Sequence, residues 1–244
     1  IGGKTFEFTL NVPQSVVPTI DNIDVVESEY RLLFVQNISK ANITIVNPKG
    51  AYGSQIIAYS VRMDDITIGN AQNVLSEIIR DHGDINIIVE VTDSRNRKAT
   101  LTKTITVYQW ETPSIYDLIV YRVNESGVLD PRGDRLGYNF AFNSYSVNGT
   151  NIINFVIEKL TSDGTWELVK TIASSTYEGT VDGYANDFVF DTTVTHIVRV
   201  SVNDSYSSGS LNVLFCESLC SSLVILNDPV KSFFMFSSLF FRIV

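Results

Sequence analysis

The residues with the most evident chemical potential lie in the stretch VTDSRNRKATLTKTITV, residues 91–107. One acid, one hydroxyl and three cations crowd together there: Asp93, Ser94, Arg95, Arg97 and Lys98. Such a group could form a catalytic or phosphate-binding loop, because clustered cations and backbone amides bind anions. It could equally be the turn of a β-hairpin, because Asp and Ser bond the backbone amides of tight turns. The elements on either side decide between these interpretations.

No other residues supply a recognisable catalytic or cofactor-binding motif. The GxGxxG, Walker, HExxH, GxSxG and CxxC patterns are absent from the sequence. His82 and His196 lie far apart in the chain, and no serine or cysteine is placed with either as in a catalytic triad. Cys216 and Cys220 are the only cysteines and lie far from the histidines, which excludes a disulfide framework and an ordinary zinc site. The sequence therefore predicts a protein that is not an enzyme and has no catalytic residue, metal or cofactor.

Two further groups resemble functional motifs but have ordinary explanations. Asp182, Asp187 and Asp191 could suggest calcium, yet their spacing matches no EF-hand loop and we expect them to straddle a turn and a strand. The adhesive tripeptide RGD occurs at 132–134, inside a turn-rich segment. We interpret both groups as turn and strand residues.

Composition and charge narrow the class of protein. The chain has 244 residues, of which 44% are hydrophobic, and this is enough to bury a core. Its net charge of -9 argues against nucleic acid as a partner, because neutralising phosphates requires a surplus of Lys and Arg. The most apolar segment, 214–244, is interrupted by charges, and its uncharged runs fall short of the roughly 20 residues that span a bilayer. We expect no nucleic-acid partner and no membrane insertion.

Alternation of apolar and polar residues predicts a nearly all-β chain, because successive side chains of a strand point to opposite faces. Segment 71–80 is ambiguous, since its apolar residues would also share one face of a short helix. Eight segments carry the period of two: 31–37, 41–46, 55–63, 85–91, 138–147, 151–160, 165–172 and 195–202.

A weak internal repeat predicts two similar modules. VPTIDNIDV at 17–25 resembles TPSIYDLIV at 112–120, and IIVEVTDS at 87–94 resembles VRVSVNDS at 198–205. Modules of about 100 residues with this grammar indicate tandem immunoglobulin-like or fibronectin-III-like β-sandwiches. The predicted domains are a last strand of a truncated preceding module, a first sandwich, a second sandwich and an atypical hydrophobic tail: 1–12, 13–110, 111–213 and 214–244.

The flanking pattern favours the hairpin for the first group of residues. Apolar residues alternate on both sides of DSRNRK, and these six polar residues are few enough to connect two paired strands. Lys103 breaks the inward pattern and predicts a bulge or the open end of the sandwich. The alternative is a loop that contacts a partner, with candidates in DSRNRK and in NPKGAYGS at 47–54: Arg95, Arg97, Lys98, Lys49 and Tyr52.

Three segments are more specific than a general strand pattern, namely GAYGSQIIAYSV at 50–61, VEVTDSRNRKATLTKTITVY at 89–108 and TPSIYDLIVYRVNESG at 112–127. In this order they resemble the repeated Ig-like modules of minor structural tail proteins from siphophages of Gram-positive bacteria. The likeness covers about residues 4–213, and Asn96 stands where the family often has Gly. Asn accepts the same left-handed turn geometry. The matching residues are Gly50, Ala51, Tyr52, Gly53, Ser54, Val91, Thr92, Asp93, Ser94, Arg95, Pro113, Tyr121, Arg122 and Gly127.

The resemblance implies a structural part of a phage tail or its appendage and no catalytic residues. Expected partners are other phage tail proteins and host cell-wall polysaccharide, and the expected location is the virion tail, assembled in the host cytoplasm and extracellular after release. Two alternatives stay open. One is a bacterial cell-surface Ig-like adhesin, and the other is a carbohydrate-binding accessory module of a wall-degrading enzyme.

The two ends of the chain carry separate expectations. The start, IGGKTFEFTLNV, has no Met and no charged-then-apolar leader, which predicts a piece of a longer protein. The resemblance stops near Val213, and 214–244 shows neither strand alternation nor a helical stripe. We expect this tail to be the product of a reading-frame change and disordered, with a hydrophobic docking segment as the alternative.

Overall fold

The structure is a computed structural model that describes residues 3–7, 11, 13–29, 32–194, 196–207, 213–217 and 223–224. Throughout these residues every regular element is a β-strand. In this described part no helix is long and apolar enough to cross a membrane. The chain divides into two compact units, 1–109 and 110–244, and each is built of two β-sheets. The predicted all-β fold of tandem sandwiches is confirmed.

Unit 1 has a three-stranded sheet, β1-β3-β6, and a five-stranded sheet, β2-β8-β7-β4-β5. All pairs are antiparallel except β2 with β8, which run parallel. The strands are β1 Asn22–Glu27, β2 Phe34–Val35, β3 Ala41–Val46, β4 Ile56–Met63, β5 Ile66–Gly69, β6 Asn73–Leu75, β7 Gly83–Asp93 and β8 Lys98–Tyr108.

The core of unit 1 is aliphatic and follows from the alternation. Every second residue of β3 and β7 points inward, and these side chains are fully buried between the sheets. Branched side chains fit the pleated surfaces and leave no polar atom to satisfy. The hydrophobic residues of unit 1 with at most 1% exposure are Ile23, Val35, Ala41, Ile43, Ile45, Val61, Ile87, Val89, Val91 and Val107.

Two segments of unit 1 compare with the sequence pattern as follows: the structure decides the ambiguous 71–80 and shortens the strand predicted at 31–37. Segment 71–80 forms no helix: it holds β6, where Val74 is buried, and then extended chain in which the Ser76 hydroxyl accepts the Ala41 amide at 2.8 Å. Pairing with β3 overrides the helical period in so short a segment. Segment 31–37 contributes only β2 within the described residues.

Of the two expectations for Lys103, the structure contradicts the bulge. Its residue pairs with Ile87 in an unbroken register, so no bulge lies there. The Lys103 ammonium instead donates to the carbonyl of Ile23 at 2.8 Å, in the opposite sheet. The amine is satisfied by a backbone acceptor, which explains how a lysine is tolerated on an inward face.

Unit 2 repeats the plan with sheets β13-β10-β9-β16 and β12-β11-β14-β15, all paired antiparallel. Its core combines aliphatic side chains with a cluster of aromatic rings. The Phe155 ring meets those of Phe140 and Phe142 edge-on, with centroids 5.0 Å and 4.8 Å away. The strands are β9 Ser114–Val123, β10 Arg135–Asn143, β11 Ile153–Leu160, β12 Trp166–Ser174, β13 Glu178–Ala185, β14 His196–Asn203, β15 Val213–Glu217 and β16 Leu223–Val224.

The domain bounds from the sequence stay predictions. Residues 3–7 and 11 carry no strand, and Phe6 is 73% exposed. Within 214–244 the structure describes the backbone of 214–217 in β15 and of β16, while the rest of this predicted tail lies outside the described residues.

Candidate functional site

DSRNRK connects β7 to β8 as the turn of an antiparallel hairpin, as predicted. The Asp93 amide donates to the Arg97 carbonyl at 2.9 Å, and the Asn96 amide donates to the Asp93 carbonyl at 2.9 Å. Asn96 has φ of 60°, a left-handed conformation that Asn adopts more readily than most residues. The turn is therefore closed by its own backbone.

The Asp93 carboxylate organises this turn from inside. Its side chain is buried, its Oδ1 accepts the amides of Arg95 and Arg97 at 2.9 Å each, and its Oδ2 accepts the Ser54 hydroxyl at 2.9 Å. Burial by itself raises the pKa of Asp93, but the bonds from the Arg97 amide, the Ser54 hydroxyl and the Arg95 amide outweigh it and hold that pKa below its ordinary value. The carboxylate is charged, and its acceptors are taken by the protein.

The candidate cations also bond within unit 1. The Arg95 guanidinium donates to the carbonyls of Ala51 and Tyr52 at 2.7 Å and 2.9 Å. The Arg97 guanidinium donates to the Val16 carbonyl at 2.7 Å. Both arginines therefore join the hairpin turn to other segments of the unit, which is a structural task.

The other three candidates lie more openly. Lys98 forms an ion pair with Glu90 at 2.7 Å, and the Lys98 side chain is 59% exposed. The Lys49 backbone pairs with Thr19, and the lysine side chain is exposed. Tyr52 is 81% exposed with φ of 47°. The structure brings Tyr52 to Arg95 through a backbone contact, and binding of a partner by these five residues stays a prediction.

Unit 2 has a corresponding arrangement that the motif search missed. The Asp204 Oδ2 accepts the Trp110 indole N–H at 2.8 Å and the Asn151 amide N–H at 3.0 Å, while its Oδ1 accepts the backbone amides of Tyr206 and Ser207. Burial raises the pKa of Asp204, but the bonds from Trp110, Asn151 and Ser207 outweigh it and lower that pKa overall. The repeat pairing of IIVEVTDS with VRVSVNDS was the signal for Asp204, since it aligns Asp204 with Asp93.

The remaining motifs take structural roles. The His196 ring lies 2.8 Å from the Asp191 carbonyl and packs against Phe190 at 5.0 Å. Asp182 bonds Tyr121 and Asn139 on the outer face of β13. In the described ranges, no group of three or more His, Cys, Asp or Glu residues could hold a metal ion.

The RGD tripeptide at 132–134 lies in the loop between β9 and β10. It borders an open groove of about 550 Å³ whose other side is formed by residues 189–192. A Cβ on Gly133 would lie 2.1 Å from the Val123 carbonyl oxygen, so the close approach of two backbones requires glycine there. This explains the Gly on packing grounds.

The sequence matches no protein-family model and no curated protein. Among solved structures it is similar to the fibronectin(III)-like modules of Clostridium thermocellum CbhA, with 13% identity, 82% of this chain and 92% of that chain covered, and a TM-score of 0.28. It is also similar to the three N-terminal domains of the highly immunogenic outer capsid protein (Hoc) of bacteriophage RB49, with 13% identity, coverage of 80% and 67%, and a TM-score of 0.37. Carbohydrate-binding modules of the β-sandwich superfamily match with 11% identity, coverage of 83% and 97%, and a TM-score of 0.31. Likeness at this level carries no functional conclusion.

Proposed function

We propose that this protein is a non-enzymatic structural component of a phage tail or tail appendage. Its sandwiches space a distal element from the particle and assist attachment to the host surface. Its partners are other tail proteins and host cell-wall polysaccharide, and it is assembled in the host cytoplasm and carried on the virion tail. The resemblance of three segments to siphophage tail modules motivates this proposal.

One observation supports the structural role in this proposal, as distinct from the attachment role. The polar residues of the GAYGS and VTDSR motifs bond one another, through Ser54 to Asp93 and Arg95 to the Ala51 carbonyl. In a catalytic loop such groups would face a substrate, whereas here they join two loops of the same unit. Motif residues with this task are expected in a protein that works as a scaffold.

The leading segment of each unit, defined as residues 13–21 before β1 and 110–113 before β9, supports a spacer as well. In unit 1, Arg97 holds the Val16 carbonyl, and in unit 2, Asp204 holds the Trp110 indole. Each bond fixes a residue of a short Pro-containing segment to a turn of its unit, since Val16 lies in VPQSVVP and Trp110 in WETP. Short linkers with anchored ends limit bending, which a spacer requires.

Immunogold electron microscopy tests the location. Antibodies raised against the full chain should label the tails of phage particles released from a lysed culture. Label on the envelope of phage-free cells would contradict the proposal and favour an adhesin. Co-purification of the chain within a wall-degrading polypeptide would instead favour an accessory module.

Binding of the full chain to intact Gram-positive cells and to purified wall polysaccharide tests attachment. A variant with Arg95, Arg97 and Lys98 changed to Ala should be compared after its folding is verified by circular dichroism. Saturable binding that this variant loses would assign the contact to DSRNRK. No binding by the folded wild type would contradict attachment and leave spacing as the role of these units.

A further inference from the structure

The outer face of the sheet β13-β10-β9 in unit 2 carries three tyrosines beside two small residues of β10, Gly137 and Ala141. In the register, Gly137 of β10 stands between Tyr121 of β9 and Tyr184 of β13, and Ala141 stands opposite Tyr116. The Tyr121 and Tyr184 side chains are half-buried, and Tyr116 is 40% exposed. We call this surface the tyrosine platform and define it by Tyr116, Tyr121, Tyr184, Asn139 and Asp182.

Two of the rings lie on glycine backbone. A Cβ on Gly137 would fall 2.3 Å from the Tyr121 Cε2 atom, so this ring occupies the space above the strand. A Cβ on Gly127 would fall 2.6 Å from Cε1 of Tyr184, and Gly127 has φ of 76°, which also favours glycine. The glycines let the aromatic rings settle against the main chain, where packing holds them in place.

A polar pair lies beside the rings. The Asp182 Oδ1 accepts the Tyr121 hydroxyl at 3.3 Å and the Asn139 amide N–H at 3.2 Å. Burial and the charge of Asp182 raise the pKa of Tyr121, so its hydroxyl stays protonated and donates. Within the described chain, the second oxygen of exposed Asp182 and the side-chain carbonyl of Asn139 accept no hydrogen bond. They are left to accept bonds from a ligand.

The platform is long enough for several sugar rings. Gly137 and Ala141 are four residues apart on β10, a separation of roughly 14 Å along a strand. Tyr121 and Tyr184 lie near one end of this row, Tyr116 near the other, and the polar pair lies between them. An extended chain could contact all of these groups at once.

We propose that the tyrosine platform binds a neutral polysaccharide. A pyranose ring presents C–H groups on its faces, which pack on the electron-rich face of an aromatic ring, while its hydroxyls donate to Asp182 and Asn139. The charge of the unit excludes a polyanion, since residues 111–213 hold 6 Lys and Arg against 13 Asp and Glu. This site names the surface that would serve the attachment role proposed above. It depends on that role only for the source of the glycan.

Calorimetric titration of the full chain tests the site. The probe is the neutral polysaccharide fraction of a Gram-positive cell wall, with the anionic teichoic acid fraction alongside. The wild type should bind the neutral fraction only, and Tyr121→Ala or Tyr184→Ala should weaken that binding by about tenfold or more. Tyr121→Phe keeps the ring and should stay within about threefold of the wild type, because the lost hydroxyl bonds Asp182 rather than the ligand.

The matched control is Leu168→Ala, which removes a side chain that is 57% exposed on β12, in the other sheet of unit 2, and should leave binding unchanged. Asp182→Ala removes an exposed acceptor without emptying space between the sheets, so it tests the site even if a tyrosine variant unfolds. Equal binding by wild type and by the Tyr184→Ala and Asp182→Ala variants would overturn the proposal, as would loss of binding in Leu168→Ala. Tail labelling by immunogold without any glycan binding would overturn this site and leave the proposed tail location standing.

Discussion

The turn after β7 in unit 1 and the turn after β14 in unit 2 are organised by aspartates in matching positions, yet they hold the leading segment in opposite ways. In unit 1 the donor belongs to the turn, where Arg97 reaches the Val16 carbonyl. In unit 2 the donor belongs to the leading segment, where the Trp110 indole reaches Asp204. Each unit therefore has a hydrogen bond between its leading segment and its turn, but different residues make this bond in the two units. A partly buried hydrogen bond can be made by any matched donor and acceptor, so the residues that make it can differ between the units.

The two units differ in their cores and in their tryptophan content, so the stability of each can be followed separately. Unit 1 packs branched aliphatic residues, whereas unit 2 packs a cluster of phenylalanines. Both tryptophans of the chain, Trp110 and Trp166, lie in unit 2. Tryptophan fluorescence therefore reports on unit 2 alone, while far-UV circular dichroism reports on both units.

The largest expected effect concerns the aromatic core. Phe155→Ala should lower the free energy of unfolding of unit 2 by about 3–5 kcal/mol, because the fully buried ring leaves a cavity between Phe140 and Phe142. Urea unfolding followed by tryptophan fluorescence measures this change. Leu168→Ala is the control, since Leu168 is 57% exposed. An unchanged fluorescence midpoint in the Phe155 variant would contradict the packing described for this core.

The next prediction tests whether each of the two turns stabilises only its own unit. Asp204→Ala should destabilise unit 2 by about 1–3 kcal/mol, because the Trp110 and Asn151 donors lose their acceptor. Asp93→Ala should shift the unit 1 transition seen by circular dichroism and leave the tryptophan transition in place. Asp187→Ala, at an exposed aspartate of unit 2, serves as the control. A tryptophan shift in the Asp93 variant would show that the two turns are not independent.

A smaller effect is expected for the guanidinium that holds the leading segment of unit 1. Arg97→Ala should cost about 0.5–1.5 kcal/mol through the lost bond to the Val16 carbonyl. Amide hydrogen exchange of residues 13–19 should accelerate in this variant. Lys98→Ala should leave that exchange unchanged, because its exposed ion pair with Glu90 contributes only roughly 0.2–1 kcal/mol and lies outside the segment. Equal amide hydrogen exchange in both variants would show that Arg97 does not hold the leading segment.

The smallest effect is a dependence of stability on pH, and it is confined to the acid range. The pKa values of Asp93 and Asp204 are lowered in the folded protein, so each carboxylate stabilises its unit above the ordinary aspartate pKa. That stabilisation is lost as the pH falls through the lowered values. Asp93→Asn and Asp204→Asn should therefore flatten the acid side of the stability profile of units 1 and 2 respectively. Urea midpoints measured between neutral and acid pH would show this, and an unflattened profile would contradict it.

Much of the fold could be predicted because strands carry a local period. Segment 41–46 matches β3, and 151–160 covers β11, since alternation needs only neighbouring residues. Segment 71–80 could not be assigned, because a few apolar residues satisfy both periods until β3 supplies a pairing edge. The parallel pairing of β2 with β8 was also out of reach, because it joins distant parts of the chain.

For the candidate site, too, local contacts could be predicted and contacts between distant residues could not. Asp93 and Ser94 were recognised as turn residues, because such residues bond the amides that follow them. The partners of Arg95 and Arg97 were not, since Ala51 and Val16 lie 44 and 81 residues away in sequence. The tyrosine platform was missed for the same reason, as its residues come from three strands.

The amino-acid sequence by itself determined the class of this protein: alternation, turn residues and a repeat specify two β-sandwiches, and the Asp-Ser pairs mark equivalent turns. These features act between neighbours in the chain, so no knowledge of the rest is needed. Only the tertiary structure decided which groups meet those turns and which tyrosines share a face with Asp182. Such contacts depend on strand order and register, which distant segments settle together when the core is buried.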